Sequence, residues 1–345
     1  MTDTDEATAT AAPTEHPAET TARRPWWRSR PLRALSWTGT AGVAAYTLIR
    51  LLGLETGWLL VTTVAFVPYL AAAALLAAGV QAAVRHWAAL AVTGAAVLAL
   101  GAVLLPRVLA DEPAAAGGAE FTVMSVNLYV GQTDLEKVVA LVEEHGPDLL
   151  SVQELTPAAA ERLDELGLDE LLPHAILEPD GLAVGTGLYS SHPLERIDTV
   201  GRDGIFSQIG AEVDLDGEAV RFMAVHTAAP ASRERIPLWE EDFEDLPRPD
   251  GGAPWVLAGD FNATLDHDNM RDLLDAGFTD AAEATGEGLH PTWQPTGPGY
   301  FGFVKIPAVA LDHVLADERV AVLDWEVLEK DGSDHAPVLA ELRLP

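Results

Sequence analysis

The composition of this chain changes once, and that change limits what it can fold into. Residues 34 to 110 are dominated by Ala, Leu, Val and Gly with very few charges, whereas residues 112 to 345 have the mix of an ordinary soluble domain. Within the apolar part three segments, 35–54, 58–84 and 87–105, each approach the ~20 residues that a helix needs to cross a bilayer. Trp37, Trp58 and Trp87 bracket them, as expected of rings that settle at a membrane–water interface. Three transmembrane helices are therefore expected. A cleaved signal peptide accounts for one such segment but not for two more.

Positive charge sets the expected orientation. Arg23, Arg24, Arg28, Arg30 and Arg33 precede the first segment, with Trp26 and Trp27 among them. The turn around Glu55 carries no Lys or Arg, and Arg85 falls in the next turn, on the same side as the N-terminus. The positive-inside rule then leaves the N-terminus in the cytoplasm and everything from about Asp111 outside the cell. Arg107 runs against this count. Arg50, one turn before the end of the first segment, is expected to snorkel to the headgroups. The organisation read this way is a basic N-terminal tail over 1–33, disordered through its first 22 residues, a membrane anchor over 34–110, a linker over 111–119 and a soluble domain over 120–345.

The soluble part is strongly acidic. Up to position 111 there are eight Lys or Arg against seven Asp or Glu; from 112 onward 13 stand against 46, and nets of +1 and −33 make up the formal charge of −32. Such a surface repels a polyanion and lacks the basic stripe that long nucleic acid requires, so nucleic acid is the less favoured partner. A small phosphorylated substrate met through a bound cation is compatible with it. The absence of cysteine excludes disulfides, thiolate metal sites and cysteine nucleophiles.

From Glu120 the pattern alternates strands and helices. Residues 121–128 and 148–152 read as strands, with an amphipathic helix over 134–144 between them and another starting near Pro157. Strands at 208–214 and 219–226 are joined by Asp216-Gly217 as a hairpin turn. A helix around 233–246, a strand at 255–258, a helix near 269–276 and terminal strands complete a mixed α/β domain without internal repeats.

Polar residues fall at the ends of these strands. Asn127 follows Val123-Met124-Ser125-Val126, Glu154 follows Leu149-Leu150-Ser151-Val152-Gln153, and His226 follows Phe222-Met223-Ala224-Val225. Asp260 and Asn262 follow Leu257-Ala258-Gly259, Asp312-His313 follows Val309-Ala310-Leu311, and Asp334-His335 precedes Ala336-Pro337-Val338. Alternation along an extended segment points Asp260 and Asn262 to one side. Any one of these residues has an ordinary use in a cap or turn. As a set they lie where layered α/β folds build their sites. Oxygen donors without cysteine describe a hard-cation site, favouring Mg²⁺ or Mn²⁺ over Zn²⁺. Such a cation neutralises phosphate charge, and a His beside it donates to a phosphoryl oxygen while a neighbouring Asp fixes its tautomer or raises its pKa. The chemistry is that of phosphoester hydrolysis.

The ordered motifs SVNL, DLLSVQEL, GTGLYSSHPL, AVHT, LAGDFNAT, LDHVLA and GSDHAPVLAEL resemble those of the endonuclease/exonuclease/phosphatase superfamily, over about 120 to 345. The resemblance implies a four-layer α/β sandwich, two packed mixed β-sheets flanked by helices, here preceded by three transmembrane helices. It implies Glu154 as the main Mg²⁺ ligand with Asn127 beside it, and Asp334 as a second metal or water-positioning carboxylate. It also implies that His226 contacts the scissile phosphate, that Asp260 orients or deprotonates the attacking water, and that Asn262 holds a phosphoryl oxygen. His335 would stabilise the pentavalent phosphorus or act as acid, with Asp312 hydrogen-bonded to it. Relatives often carry Arg or Lys where this chain has Ser190-Ser191-His192-Pro193, so that basic contact is missing or replaced by His192. Thr292-Trp293 matches a loop near the family's metal site, with Trp293 as a packing residue or a substrate platform. His313 is expected to be structural. The three-span architecture itself resembles an actinobacterial group associated with glycopeptide-antibiotic resistance and envelope function.

Together these readings describe a multi-pass cell-membrane protein whose extracytoplasmic domain is a divalent-metal-dependent phosphoesterase. In-line attack of an activated water would hydrolyse a phosphoester or pyrophosphate, of an envelope lipid or a small molecule, because a linker of about ten residues reaches no further than ~35 Å. Two alternatives stay open: an extracellular Mg²⁺-dependent nuclease on the same fold, and a non-catalytic membrane sensor or scaffold.

Overall fold

The computed structural model describes residues 29–198, 206–215, 217–296 and 305–345. Asp216 of the expected hairpin turn, and Arg23, Arg24, Trp26, Trp27 and Arg28 of the basic cluster, lie outside the described residues. The N-terminal part forms four helices, α1 (Arg30–Leu52), α2 (Trp58–Val64), α3 (Val67–Ala83) and α4 (Trp87–Leu104). The expected second span is therefore broken, with α2 and α3 meeting at 76°. Pro68 explains the break. It has no N–H for the carbonyl of Val64, and its ring collides with that carbonyl, so α2 stops at Val64 and α3 starts with the proline in its first turn. Among the described residues one helix, α4, is long and apolar enough by itself to cross a membrane, and the α2–α3 pair meets that test only as one bent unit. Three transmembrane helices are thus more than the helices alone establish. The group does, however, turn polar residues inward. Thr40 and Thr93 hydroxyls meet at 3.2 Å and Gln81 Nε2 donates to Thr40 Oγ1 at 3.0 Å, while Leu76 and Leu98 are 74 % and 77 % exposed.

Residues 120–345 build two six-stranded sheets. In chain order the strands are β1 (Glu120–Asn127), β2 (Leu149–Gln153), β3 (His174–Glu178), β4 (Thr186–Ser190), β5 (Leu194–Arg196), β6 (Ile209–Leu215), β7 (Glu218–His226), β8 (Trp255–Asp260), β9 (Phe278–Asp280), β10 (Asp312–Asp317), β11 (Ala321–Val327) and β12 (Val338–Arg343). One sheet runs β11-β12-β1-β2-β4-β3 and the other β5-β6-β7-β8-β10-β9. Both are mixed, since β1–β2 and β7–β8 are parallel and the remaining pairs antiparallel. A parallel pair needs a crossover, and α5 (Leu135–His145) supplies it between β1 and β2. Asp134 caps α5 by accepting from the Glu136 and Lys137 N–H groups.

The layers follow from side-chain alternation. Phe121 and Val123 of β1 face the other sheet and pack with Val256, Ala258 and Val314; Met124 and Val126 face outward onto Val138 and Val142 of α5. On the far side Trp239, Phe243 and Met270 cover Met223, Val225 and Leu257 of the second sheet. Fully burying a side chain such as Leu149 or Phe222 contributes about 1.5–3 kcal/mol. The expected four-layer order of helix, sheet, sheet, helix is what the chain forms.

The helices are docked on this sandwich through buried contacts. Arg50, near the end of α1, and Arg107, just past α4, converge on Asp266: Arg50 Nε donates to Oδ1 at 2.7 Å, and Arg107 donates to Oδ2 at 2.8 Å and to Oδ1 at 3.1 Å. Arg107 also donates to the Leu265 carbonyl at 3.0 Å. Val61 enters the core beside Trp239 and Leu265, and its carbonyl accepts from His267 Nε2 at 3.0 Å. Tyr69 donates its hydroxyl to the Ala308 carbonyl at 2.7 Å. The segment after α4 is itself tied down, Asp111 N–H donating to Ala284 O and Gly118 N–H to Leu344 O. Arg50 therefore does not snorkel, because a buried carboxylate more than two hundred residues away in sequence takes its guanidinium.

Candidate active site

Strand parity decides where the expected site residues point. Two pleats beyond Val123, Asn127 faces the same interlayer space; Phe222 and Ala224 lead to His226, Val256 and Ala258 to Asp260, and Ala316 and Val314 back to Asp312. The registers set Asp260 beside both His226 and Asp312. Apolar filling thus ends in four polar side chains, none more than 3 % exposed. A charge so placed is stable only with partners.

Gly259 makes room for Asp260. A Cβ at 259 would stand 1.8 Å from the Val225 carbonyl oxygen, so β7 and β8 approach too closely there for any other residue. Beyond Asp260 the expected alternation fails. Asn262 has a φ of 45°, its N–H donates to Asp260 Oδ1 at 2.8 Å, and its Nδ2 donates to Thr227 O at 2.9 Å and Asp260 Oδ2 at 3.2 Å. The Asp260 carboxylate competes for the backbone and turns the chain, so Asn262 reaches the site through a turn. Asn127 Nδ2 also donates to Asp260 Oδ2, at 3.2 Å. Burial raises the Asp260 pKa well above the ordinary carboxylate value, with His335 opposing and Asp312 adding to the rise.

His335 carries the positive charge of the site. Its Nδ1 lies 2.9 Å from Asp312 Oδ2 and its Nε2 3.6 Å from Asp260 Oδ2. Burial favours the neutral ring, but Asp312 and Asp260 outweigh it and the imidazole is pushed up to about 10. Thr292 fixes Asp312 in turn: its hydroxyl donates to Oδ2 at 2.6 Å and accepts from the Leu311 and Asp312 N–H groups at 3.0 Å. His226 is the opposite case. Burial, reinforced by His335, lowers it to about 3, its Nδ1 has no hydrogen-bond partner among the described residues, and its ring stands edge-on to Phe206 at 4.6 Å. Its 3.9 Å approach to Asp260 is therefore not an ion pair.

Glu154 and Asp334 form the other wall. Glu154 has a φ of 56°; Oε1 accepts from Asn127 Nδ2 at 3.3 Å and Oε2 from the Val130 N–H at 2.7 Å. Tyr129 and Val130 are left-handed too, a conformation that valine adopts only where its surroundings impose it. Burial raises the Glu154 pKa and Asp334 adds to the rise. Asp334 Oδ2 accepts from Trp293 Nε1 at 3.0 Å, whereas its buried Oδ1 has no hydrogen-bond partner among the described residues. Two neighbouring carboxylates, one of them with an unpartnered buried oxygen, fit a hard cation. The Asn127 oxygen is occupied by the Tyr129 N–H at 2.9 Å, so Asn127 links Glu154 to Asp260 as a donor. Asp260, Asp312 and His335 also place possible ligand atoms within 4.8 Å of one another. There a protonated His335 would compete with a cation, which leaves Glu154 and Asp334 as a second pair of carboxylates able to hold one.

The eight expected residues, Asn127, Glu154, His226, Asp260, Asn262, Asp312, Asp334 and His335, thus meet in one place. Linear reading gave Thr292 no task, although it stands beside Trp293 in the loop that the motif marked. Trp293 holds Asp334 through its indole N–H. Ser333 was also passed over; its hydroxyl donates to Asn127 O and accepts from the His335 N–H, each at 3.1 Å. His192 lies beside Asp148, just before β2, whereas Glu154 follows the other end of that strand, so His192 does not replace a basic contact at the site. His313 points to the opposite face of β10, with Nδ1 at 2.8 Å from Asp280 Oδ2 and Nε2 at 3.0 Å from Ala263 O.

A family model described as "Endonuclease/Exonuclease/phosphatase family" matches residues 124–335. Similar solved structures include an endonuclease/exonuclease/phosphatase from Beutenbergia cavernae DSM 12333, at 19 % identity and TM-score 0.49 over 65 % of this chain and 72 % of that one. Humanized D. rerio TDP2 carrying 14 mutations aligns at 17 % identity and TM-score 0.52, over 65 % and 99 % of the two chains. D. rerio TDP2 complexed with single strand DNA product aligns at 18 % and 0.50, with the same coverage. At these identities the likeness is one of fold. No curated protein matches this chain.

Proposed function

The chain belongs to the endonuclease/exonuclease/phosphatase family, hydrolases of phosphoester bonds, and on that premise we propose a divalent-metal-dependent phosphoesterase held at the outer surface of a membrane. The observation that carries this reading is one site that sets two half-buried carboxylates, Glu154 and Asp334, the latter with an unpartnered buried oxygen, against the His335–Asp312 pair, with Asp260 between them. Glu154 and Asp334 would hold Mg²⁺ or Mn²⁺, steered by Asn127. The cation supplies charge neutralisation for the phosphoryl group.

The remaining residues divide the work of in-line attack. Asp260, its pKa raised by burial, orients the attacking water and takes its proton. His335 stays protonated and donates to the phosphoryl group as negative charge accumulates. Asp312 and Thr292 hold that ring in place, and Asn262 and neutral His226 contact the other phosphoryl oxygens.

The exposed apolar faces of α3 and α4 and their polar interior support a multi-pass membrane anchor. The basic N-terminal run supports a cytoplasmic N-terminus and an extracytoplasmic catalytic domain. The engagement of Arg50 and Arg107 by Asp266 removes both from the count of headgroup-facing charges. The substrate is then a phosphorylated lipid or another small phosphoester met at that surface. A nuclease needs Lys and Arg to neutralise a phosphate backbone, and 13 against 46 acidic residues beyond position 111 disfavours it.

Release of phosphate or headgroup from a panel of lipid phosphates and soluble phosphodiesters, with and without EDTA, tests the reading. Activity untouched by Glu154→Gln or His335→Ala would overturn it, and plasmid nicking at low salt would favour the nuclease. An alkaline phosphatase fusion at Ala119 tests the topology: an inactive fusion places the domain in the cytoplasm.

A further inference from the structure

The docked helices leave a cleft of about 300 Å³ between the start of α3, which contributes Pro68, Tyr69 and Ala72, and the loops that contribute Leu289, Ala308 and Ala310. Its polar lining is already satisfied. Arg107 and Asp266 are bonded to each other, and the Thr264 hydroxyl accepts from the Asp266 N–H. Among the described residues the cleft therefore offers apolar surface with no free charged side chain. It also shares a wall with the active site: Val309 bridges to Trp293, Trp293 bridges to His335, and Ala65 and Phe66, at the α2–α3 break, pack on Val309, Leu311 and Trp293. Leu311 immediately precedes Asp312.

We propose that this cleft receives the alkyl chain of an amphipathic phosphoester while the phosphate lies at Glu154, Asp260 and His335. The proposal rests on the phosphoesterase reading above and names the substrate class of that site. Two observations select an alkyl chain as the occupant. Beyond the cleft α3 continues with Leu75, Leu76 and Val80 exposed, so a chain moving along that face enters without crossing water. Among the described lining residues the charged and hydroxyl side chains are already bonded, which leaves none of them free for a headgroup. Tyr69 and Ala308, which also line this space, are joined by a hydrogen bond that ties its two walls together.

The test uses the full chain in detergent and two chromogenic diesters with one headgroup, ethyl and hexadecyl p-nitrophenyl phosphate. Wild type should prefer the hexadecyl ester in kcat/KM by about tenfold or more, as burial of a few methylenes requires. Ala72→Trp and Ala310→Trp, which fill the cleft from opposite walls, should each reduce that ratio to about threefold or less. Leu98→Trp, on the outward face of α4, should leave the ratio unchanged. Because every variant meets the same micelles, partitioning cancels in the comparison. An unchanged ratio in both filled variants overturns the proposal. Photolabelling with a hexadecyl phosphate bearing a terminal diazirine decides the matter apart from catalysis and with wild-type protein. Label on peptides containing Tyr69, Leu289 or Ala308, competed by hexadecyl phosphate but not by ethyl phosphate, supports the cleft; label elsewhere overturns it. Absence of hydrolysis of either ester by wild type would instead count against the phosphoesterase reading.

Discussion

Asp266→Ala strands two buried guanidinium groups. In the folded protein Asp266 accepts from Arg50 Nε and from both terminal nitrogens of Arg107, with side-chain exposures of 1 %, 6 % and 5 % for the three residues. Without it, the nearest remaining carboxylate contact of Arg107 is Glu283 at 4.0 Å. Removing one partner of a buried ion pair costs about 3–5 kcal/mol, more than the pair contributes over an apolar replacement, because the surviving charge is left desolvated. For a domain the size of 120–345 each kcal/mol lowers Tm by ~2–4 °C, so the expected fall is about 6–20 °C. Thermal unfolding of the full chain in detergent measures it. The triple variant Arg50→Met, Asp266→Leu, Arg107→Met should recover much of the loss, since no charge is stranded. A Tm within ~2 °C of wild type for Asp266→Ala would refute the reasoning. The pH dependence adds a second check. Burial opposes ionisation of Asp266, but Arg107 and Arg50 outweigh it and hold its pKa below the ordinary carboxylate value. A depressed pKa contributes stability that is present above the unfolded value of ~3.9 and lost as pH falls through the folded one. The Tm gap between wild type and Asp266→Ala should therefore close in acid.

Asp312→Asn keeps the shape of the site but removes the anion that holds the His335 proton, and kcat should fall by ~10²–10⁴-fold, together with a lower Tm because a buried ion pair loses one partner. Thr292→Val leaves the Leu311 and Asp312 N–H groups unsatisfied; denaturant titration should show a loss of ~1–3 kcal/mol together with a lower kcat. Glu154→Gln should weaken Mg²⁺ or Mn²⁺ binding by calorimetry and raise the metal concentration needed to restore activity after EDTA. His313 is bonded at both ring nitrogens and its pKa is raised, burial being outweighed by Asp280. Its stabilisation is full below the unfolded value of ~6.5 and is lost as pH rises through the higher folded value, so a Tm difference from His313→Gln should shrink in alkali. A constant difference would show that the imidazole is neutral in the folded protein.

The sequence alone determined the layered α/β domain and the identity of the residues that close its strands. Both depend on near-neighbour rules: alternation of period two buries Phe121, Val123, Val256 and Ala258, and the same parity carries Asn127 and Asp260 to the end of that buried face. The helix break has a local cause in Pro68, although the expected span over 58–84 runs straight through it. Tertiary structure decided what depends on partners distant in the chain. Asn262 enters the site through a turn that the Asp260 carboxylate closes, Thr292 serves Asp312 across nineteen intervening positions, and Arg50 meets Asp266 from the other end of the molecule. Linear patterns record which residues are apolar and which are charged. Which buried charge neutralises which is settled only when folding removes water and leaves each ion to the nearest counter-ion. For that reason Arg50, expected at lipid headgroups, joins Arg107 in the clamp that seats the helices on the sandwich.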